Sequence, residues 1–250
     1  MKLENIVKEG KEVPHLEGAL GSSKRVKSLF LSSPYPGDQK FGGQPTGLLY
    51  ALSVLADRKE EEYCSREEVQ KDVEVWCPEG TPEFEGSRFE KDLTNYVLNK
   101  NPKLVGVSTF SVSYENAIKI RDLVKGISPE TVVVFGGAHE DNFIKHYRER
   151  GNVDVDFVVA GDGAYLIDRL SRVIESNPNA SVDEIKEQVQ KDSGFGELKG
   201  AGIILFNRAG KLEEAGSQSY MPSVQRQSVK LDELPIMPRY LIKDEDASAR

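Results

Sequence analysis

The chain has 250 residues, with 33 Lys and Arg against 41 Asp and Glu, a net charge of −8. That length holds one large domain or a domain with an extension. Acidity without a basic tract excludes a nucleic-acid grip, because phosphates need Lys and Arg to displace their counterions.

Residues 1–24 are polar and read as a tail or a loose helix. Val26–Ser32 (VKSLFLS) is a short apolar run, a buried strand. Residues 33–43 are crowded with Pro and Gly and form a loop with tight turns. Thr46–Ala56 (TGLLYALSVLA) is apolar nearly all round and predicts a buried helix. Residues 57–71 (DRKEEEYCSREEVQK) predict a solvated helical excursion, and Val73–Cys77 a second strand. Between Phe84 and Asn99, Phe89, Leu93, Tyr96 and Val97 recur at helical spacing. Leu104–Phe110 is the third strand. Ser113 stands where it can cap a helix whose inner face holds Ala117, Ile120, Val124 and Ile127. Thr131–Phe135 is the fourth strand, 141–150 a polar helix, and Val155–Val159 the fifth strand. Leu166, Ile167, Leu170, Val173 and Ile174 mark one more helix, ended by Asn177-Pro178-Asn179. Trp76 and Phe135 read as core.

Strands alternating with helices predict an α/β domain, a doubly wound sheet of five parallel strands over residues 25–176. The remaining segment, 177–250, opens on a capping box, Ser181-Val-Asp-Glu184. A hairpin is expected at about 202–212 around Asn207–Gly210. Residues 231–250 (LDELPIMPRYLIKDEDASAR) read as a Pro-punctuated linker with no core of its own.

No stretch approaches the roughly 18 apolar residues of a membrane-spanning helix. The charged opening, MKLENIVKEGKEV, lacks the apolar region of a secretory signal. The expected location is therefore cytoplasmic, with no membrane partner. The two cysteines, Cys64 and Cys77, are too few for a structural zinc site or an iron–sulfur cluster, and they read as unpaired thiols. The histidines, His15, His139 and His146, lack the H-E-x-x-H spacing, so no metal site is expected from them.

In an open parallel sheet, ligands sit over the carboxyl ends of the strands, where strand order reverses. The loop after the first strand carries neither G-x-G-x-x-G nor a P-loop, which argues against a stand-alone flavin or nicotinamide oxidoreductase. After the third strand come Ser108, Thr109 and Phe110, without the Asp of a phospho-acceptor. Gly136 and Gly137 follow the fourth strand, then Ala138 and His139. Gly161, Asp162 and Gly163 follow the fifth. Paired glycines at a strand exit imply that another body approaches the backbone. Loops this small suit a large flat ligand with a buried tail. The alternative is that each glycine serves a tight strand-to-helix turn. His139 is expected at the pocket rim.

These loops carry a resemblance. Ser108-x-Phe110 followed after a 25-residue gap by Gly136-Gly137 is similar to the serine-plus-glycine-pair pattern of cobalamin-binding domains. The wider likeness is to the amino-terminal domain of cobalamin-dependent radical SAM enzymes. It rests on Gly47-Leu-Leu-Tyr50-Ala51, Val105-Gly-Val-Ser108, Val134-Phe-Gly-Gly-Ala-His139, the run Val155–Gly163 and Leu231-Asp-Glu-Leu-Pro235. The resemblance implies a flavodoxin-like fold of the cobalamin-binding type. Its cofactor would be cobalamin, held by Tyr35, Asp38, Lys40, Ser108–Phe110, Gly136–His139 and Gly161–Gly163. It implies a partner as well, a radical SAM domain or subunit beyond residue 250, carrying the 4Fe-4S cluster and S-adenosylmethionine. The whole enzyme would perform methyl transfer or related radical chemistry, with this chain as the cofactor seat and not itself catalytic.

Three departures from the pattern stand out. Where carrier-type cobalamin proteins have D-x-H-x-x-G, this chain has Asp38-x-Lys40-x-x-Gly43, and a protonated Lys has no lone pair for cobalt. Ala164 replaces the second acid after Gly161-x-Gly163. No C-x3-C-x2-C is present. A scaffold domain of the same fold that has lost cobalamin is the alternative these departures leave open.

Overall fold

The computed structural model describes residues 25–36, 46–78, 83–198, 202–216 and 234–242. Five strands run parallel: β1 (Ser28–Ser32), β2 (Val73–Trp76), β3 (Leu104–Ser108), β4 (Val132–Gly136) and β5 (Phe157–Ala160). Between them lie α1 (Thr46–Ala51), α2 (Ser53–Tyr63), α3 (Arg66–Asp72), α4 (Arg88–Lys100), α5 (Tyr114–Ile127) and α6 (Ala138–Arg150). After them come α7 (Ala164–Ser176) and α8 (Val182–Lys191). The inner four, β1, β3, β4 and β5, are short apolar runs buried on both faces, as a sheet covered by helices on each side requires. One core joins Phe30, Leu104, Val134 and Val159 to α1, α2 and α7. The other joins Leu31, Val107, Val133 and Phe135 to α4, α5 and α6.

The sheet is larger than the sequence predicts. The hairpin strands β6 (Ile203–Arg208) and β7 (Lys211–Gly216) join it antiparallel beyond β5, giving seven strands in the order β2-β1-β3-β4-β5-β6-β7. The reason is burial. All four residues of β5 are buried, so its outer edge needs a partner, and Ile203–Phe206 are buried in turn.

The charged run at 57–71 is helical and exposed on one side, as expected, but its other side is not solvated. It forms the end of α2 and most of α3, and Arg58, Lys59 and Asp72 are buried. The inner face of α7 carries Asp168, Ser171 and Glu175 against α2. Arg58 Nε lies 2.6 Å from Asp168 Oδ1, and Arg58 Nη1 lies 2.9 Å from Glu175 Oε2. Lys59 Nζ is 2.9 Å from Glu175 Oε1, and Glu175 also accepts from Ser171 at 2.7 Å. Two interior faces that are polar in the sequence thus meet and pair, which neither shows alone.

The linker segment 234–242 also packs, contrary to the expectation of a coreless tail. Leu241 is buried in the α1/α2/α7 core, with Met237, Tyr240 and Ile242 partly buried beside it. Ile242 bridges Val75 in parallel, so the segment covers the outer edge of β2. The Gln70 amide donates to the Tyr240 carbonyl, and the Arg66 guanidinium lies 5.2 Å from the Tyr240 ring centre. Limited proteolysis is expected to spare 239–242, and a Leu241→Asp substitution to make that segment an early cutting site. Equal cutting of both proteins at this segment would show that the docking does not hold in solution.

Candidate functional site

Strand order reverses at β1, whose neighbours are β2 on one side and β3 on the other. The crevice this creates lies over the carboxyl ends of β1 and β3. The register sets a row of residues across it: Ser32 opposite Ser108, Ser108 opposite Gly136, and Gly136 opposite Val159. Side chains alternate along a strand, so this row lies two residues beyond Phe30, Gly106 and Val134, on the face that α1 and α7 cover. The preceding strand residues are buried, but Ser32, Ser108 and Gly136 are half-buried. Among the described residues, these three small residues in register, half-buried beyond buried neighbours, mark a candidate trough floored by two hydroxyls and bare backbone.

The start of α7 closes one end. A Cβ on Gly163 would lie 3.3 Å from Val159 Cγ1 and 3.7 Å from Ala51 Cβ, so α7 and α1 are already close there. Gly161 adopts φ +83°, and its N–H donates to Asp141 Oδ1 at 2.6 Å. Asp162 is half-buried behind it. At the mouth, Tyr35 and Phe110 bring their rings to 5.7 Å, and Phe110 is exposed. The described start of the loop after β1 is tied down: Ser33 N–H donates to Ser108 O at 3.0 Å, and the Asn116 amide donates to Pro34 O at 2.9 Å. Ser113, predicted as a cap, instead shares a 2.5 Å hydrogen bond with the Ser33 hydroxyl and makes no side-chain cap. Asp38 and Lys40 lie outside the described residues.

Three of the expected site residues are placed differently from the sequence reading. Gly137, at φ +111°, does have another body against it, but that body is the chain itself. A Cβ there would fall 2.8 Å from Thr109 O, 3.1 Å from Thr109 N and 3.2 Å from Ser108 Oγ. Gly136 differs, since its Cβ would meet Val159 O at an ordinary 3.4 Å. Thr109 is fully buried, with its N–H 2.6 Å and its hydroxyl 3.0 Å from Gly136 O. It joins two loops and does not face the trough. His139 is buried, not at the rim. Because α6 begins at Ala138 and not near 141, the imidazole turns into the α5/α6 interface. There it stacks between Tyr114 at 3.9 Å and Phe143 at 4.1 Å, with Nδ1 3.2 Å from Ser111 Oγ. Burial lowers its pKa by disfavouring the charged ring. Gly137 and Ala138 are themselves exposed at the turn into α6.

Glu140 is a buried residue to which the sequence reading gives no role, since His139-Glu140-Asp141 is weighed there only as part of a metal site and lacks the spacing for one. The signal lay in the register of α6: with the helix starting at Ala138, Glu140 shares a face with Ile144 and Tyr147, and all three are buried.

A family model described as the B12 binding domain matches residues 45–171, just over half of the chain. Among solved structures, the chain is similar to the radical S-adenosylmethionine methyltransferase TsrM from Kitasatospora setae, solved with tryptophan substrate and a SAM analogue. The two are 16% identical with a TM-score of 0.46, over 81% of this chain and 31% of that one. This chain therefore spans about a third of that enzyme's length. A comparison with curated proteins finds no match.

Proposed function

Since the chain belongs to the B12-binding domain family, we propose that the trough over β1, β3 and β4 is its cobalamin seat and that the domain serves a radical SAM partner. The observation that carries the seat is the half-buried row Ser32–Ser108–Gly136. Among the described residues it is a half-buried stretch directly beyond the buried residues of β1, β3 and β4, at the reversal of strand order where this fold binds ligands. The residues fit a corrinoid tail. Gly136 leaves backbone bare, the Ser32 and Ser108 hydroxyls can donate or accept without bulk, and Tyr35 and Phe110 supply apolar surface at the mouth. Cobalamin supplies a cobalt centre able to carry a methyl group or exchange an electron. This chain's part is to bind it, orient it and keep water from its buried end.

The radical SAM assignment rests on the order of the sequence motifs, from Gly47-Leu-Leu through Leu231-Asp-Glu-Leu-Pro235. In this reading 25–176 is the cofactor domain. Within 177–250, β6 and β7 extend its sheet, and the segment would lead toward a partner domain or subunit that holds the 4Fe-4S cluster and S-adenosylmethionine.

The direct test is to mix the purified chain with hydroxocobalamin, desalt it, and record the visible spectrum. A retained corrin spectrum is expected; a colourless protein would overturn the seat. Gly136→Val localises it. A side chain there projects along the trough, while its Cβ meets Val159 O at a tolerable distance. The variant should fold normally and bind cobalamin at least about tenfold more weakly, a loss of about 1.4 kcal/mol. Unchanged affinity in a folded variant would place the cofactor elsewhere.

A further inference from the structure

Glu140 is fully buried, and its carboxyl oxygens meet two hydroxyls: Thr109 Oγ1 is 2.9 Å from Oε1, and Tyr147 OH is 2.8 Å from Oε2. Thr109 is the joint between the third and fourth strand exits. Its N–H and its hydroxyl both reach Gly136 O, its carbonyl accepts from His139 N–H at 3.3 Å, and its backbone fills the space beside Gly137.

The Thr109 hydroxyl has one proton and two acceptors within reach. When Glu140 is protonated, its O–H donates to Thr109 Oγ1, which leaves the Thr109 proton for Gly136 O. Glu140, Thr109 and Gly136 are then linked in series, with Tyr147 donating to the other carboxyl oxygen. When Glu140 is ionised, the Thr109 proton turns to the carboxylate. The hydroxyl bond to Gly136 is lost, and a buried charge is left on two neutral donors.

We propose that Glu140 is a positioning residue for the cobalamin seat, clamping the Ser108–Phe110 loop to the Gly136–Gly137 turn through Thr109, and that the clamp is tightest when the carboxyl carries its proton. The inference rests on the trough being the seat.

The surroundings place the proton equilibrium in an accessible range. Burial is the main force raising Glu140, to about 7, and the negative charges of Asp154 and Asp141 act in the same direction. From α5, Tyr114 OH lies 3.3 Å from Tyr147 OH and 3.4 Å from Asp154 Oδ2. Asp154, ahead of β5, pairs with Arg150 at 2.9 Å. On the same helix, Asp141 is engaged by Gly161 N–H, and burial disfavours the charged form of His139. The β3 and β4 exits present Thr109 and Gly136, which are uncharged. The folded-state value lies above that of an unfolded Glu, so the stabilisation is complete in acid and is lost as pH rises through about 7.

The test is a titration with cyanocobalamin, whose upper ligand does not titrate in this range, at about pH 6 and about pH 8. One proton linked to binding limits the change to about tenfold over this span. The wild-type chain should bind several-fold to about tenfold more weakly at the higher pH. Glu140→Gln, whose amide donates to Thr109 and accepts from Tyr147, should bind equally at both. A Gln variant with the wild-type slope would overturn the proposal. Thr109→Val removes the joint and should bind weakly at both pH values; wild-type affinity and slope there would overturn it equally, even if the Gln variant failed to fold. Amide hydrogen exchange at Thr109 and His139, corrected for intrinsic rates, reads the clamp without cofactor. Protection should fall with rising pH in the wild type and stay level in Glu140→Gln. If no protein binds cobalamin, the seat has failed, and the exchange data alone decide for or against the clamp.

Discussion

Gly137→Ala is expected to cost about 2–4 kcal/mol of stability and to abolish cobalamin binding. The backbone there has φ +111° and ψ −171°, a region that side chains make inaccessible. The new Cβ would also meet the Thr109 carbonyl at 2.8 Å, and that carbonyl is fixed by the hydrogen bond from His139 N–H. Strain and overpacking therefore add. Relief requires the Ser108–Phe110 loop to move away from the turn, which separates two walls of the seat. Gly136→Ala is the control, since its Cβ would make an ordinary contact with Val159 O and should change stability little. Denaturant midpoints for the two variants decide the matter. Similar midpoints would mean that Thr109 yields more easily than its hydrogen bonds suggest.

Arg58→Met is expected to cost about 3–5 kcal/mol, the usual penalty for removing one partner from a buried ion cluster. Arg58 is raised above its ordinary basicity: burial opposes its charge, but Glu175 and Asp168 outweigh that. Burial likewise works to raise Glu175, and Arg58, Lys59 and Ser171 together hold it below the usual carboxylate range. A lowered carboxylate contributes stability above its unfolded pKa and loses it as pH falls. In Arg58→Met that relation reverses, because Glu175 keeps its burial and loses its principal partner. The stability gap between wild type and variant should therefore be widest near neutral pH and shrink in acid. Adding Glu175→Gln to Arg58→Met should recover part of the loss. A gap that stays level from neutral pH into acid would show that Glu175 already carries its proton in the wild-type protein.

These two sites mark different limits of sequence reading. The run around Arg58 looks solvated because charge runs usually are, and because its partners stand 110 and 117 residues further on. Nothing local in α2 states that α7 will present two carboxylates to it. Gly137 was legible as a glycine that something approaches. Whether the approaching body is a ligand or the chain's own loop depends on the distance between two strand exits, which spacing along the chain does not encode.

The parallel core strands, their helical crossovers, the capping box at Ser181 and the hairpin near 202–212 followed from the sequence by itself. Each is set by local patterning: β-branched runs, helical periodicity, a Ser three residues ahead of a Glu, and a turn between two strand-forming stretches. The motif order likewise pointed to cobalamin. Tertiary structure alone decided the rest. It added β6 and β7 to the sheet because β5 is fully buried and needs a partner, and it docked Leu241 and Ile242 because the edge of β2 lay open. It turned Thr109 and His139 inward, because α6 begins at Ala138 and brings Glu140 beneath the two loops. Those outcomes depend on which groups remain unpaired once the core has formed, and that is fixed only when distant segments meet.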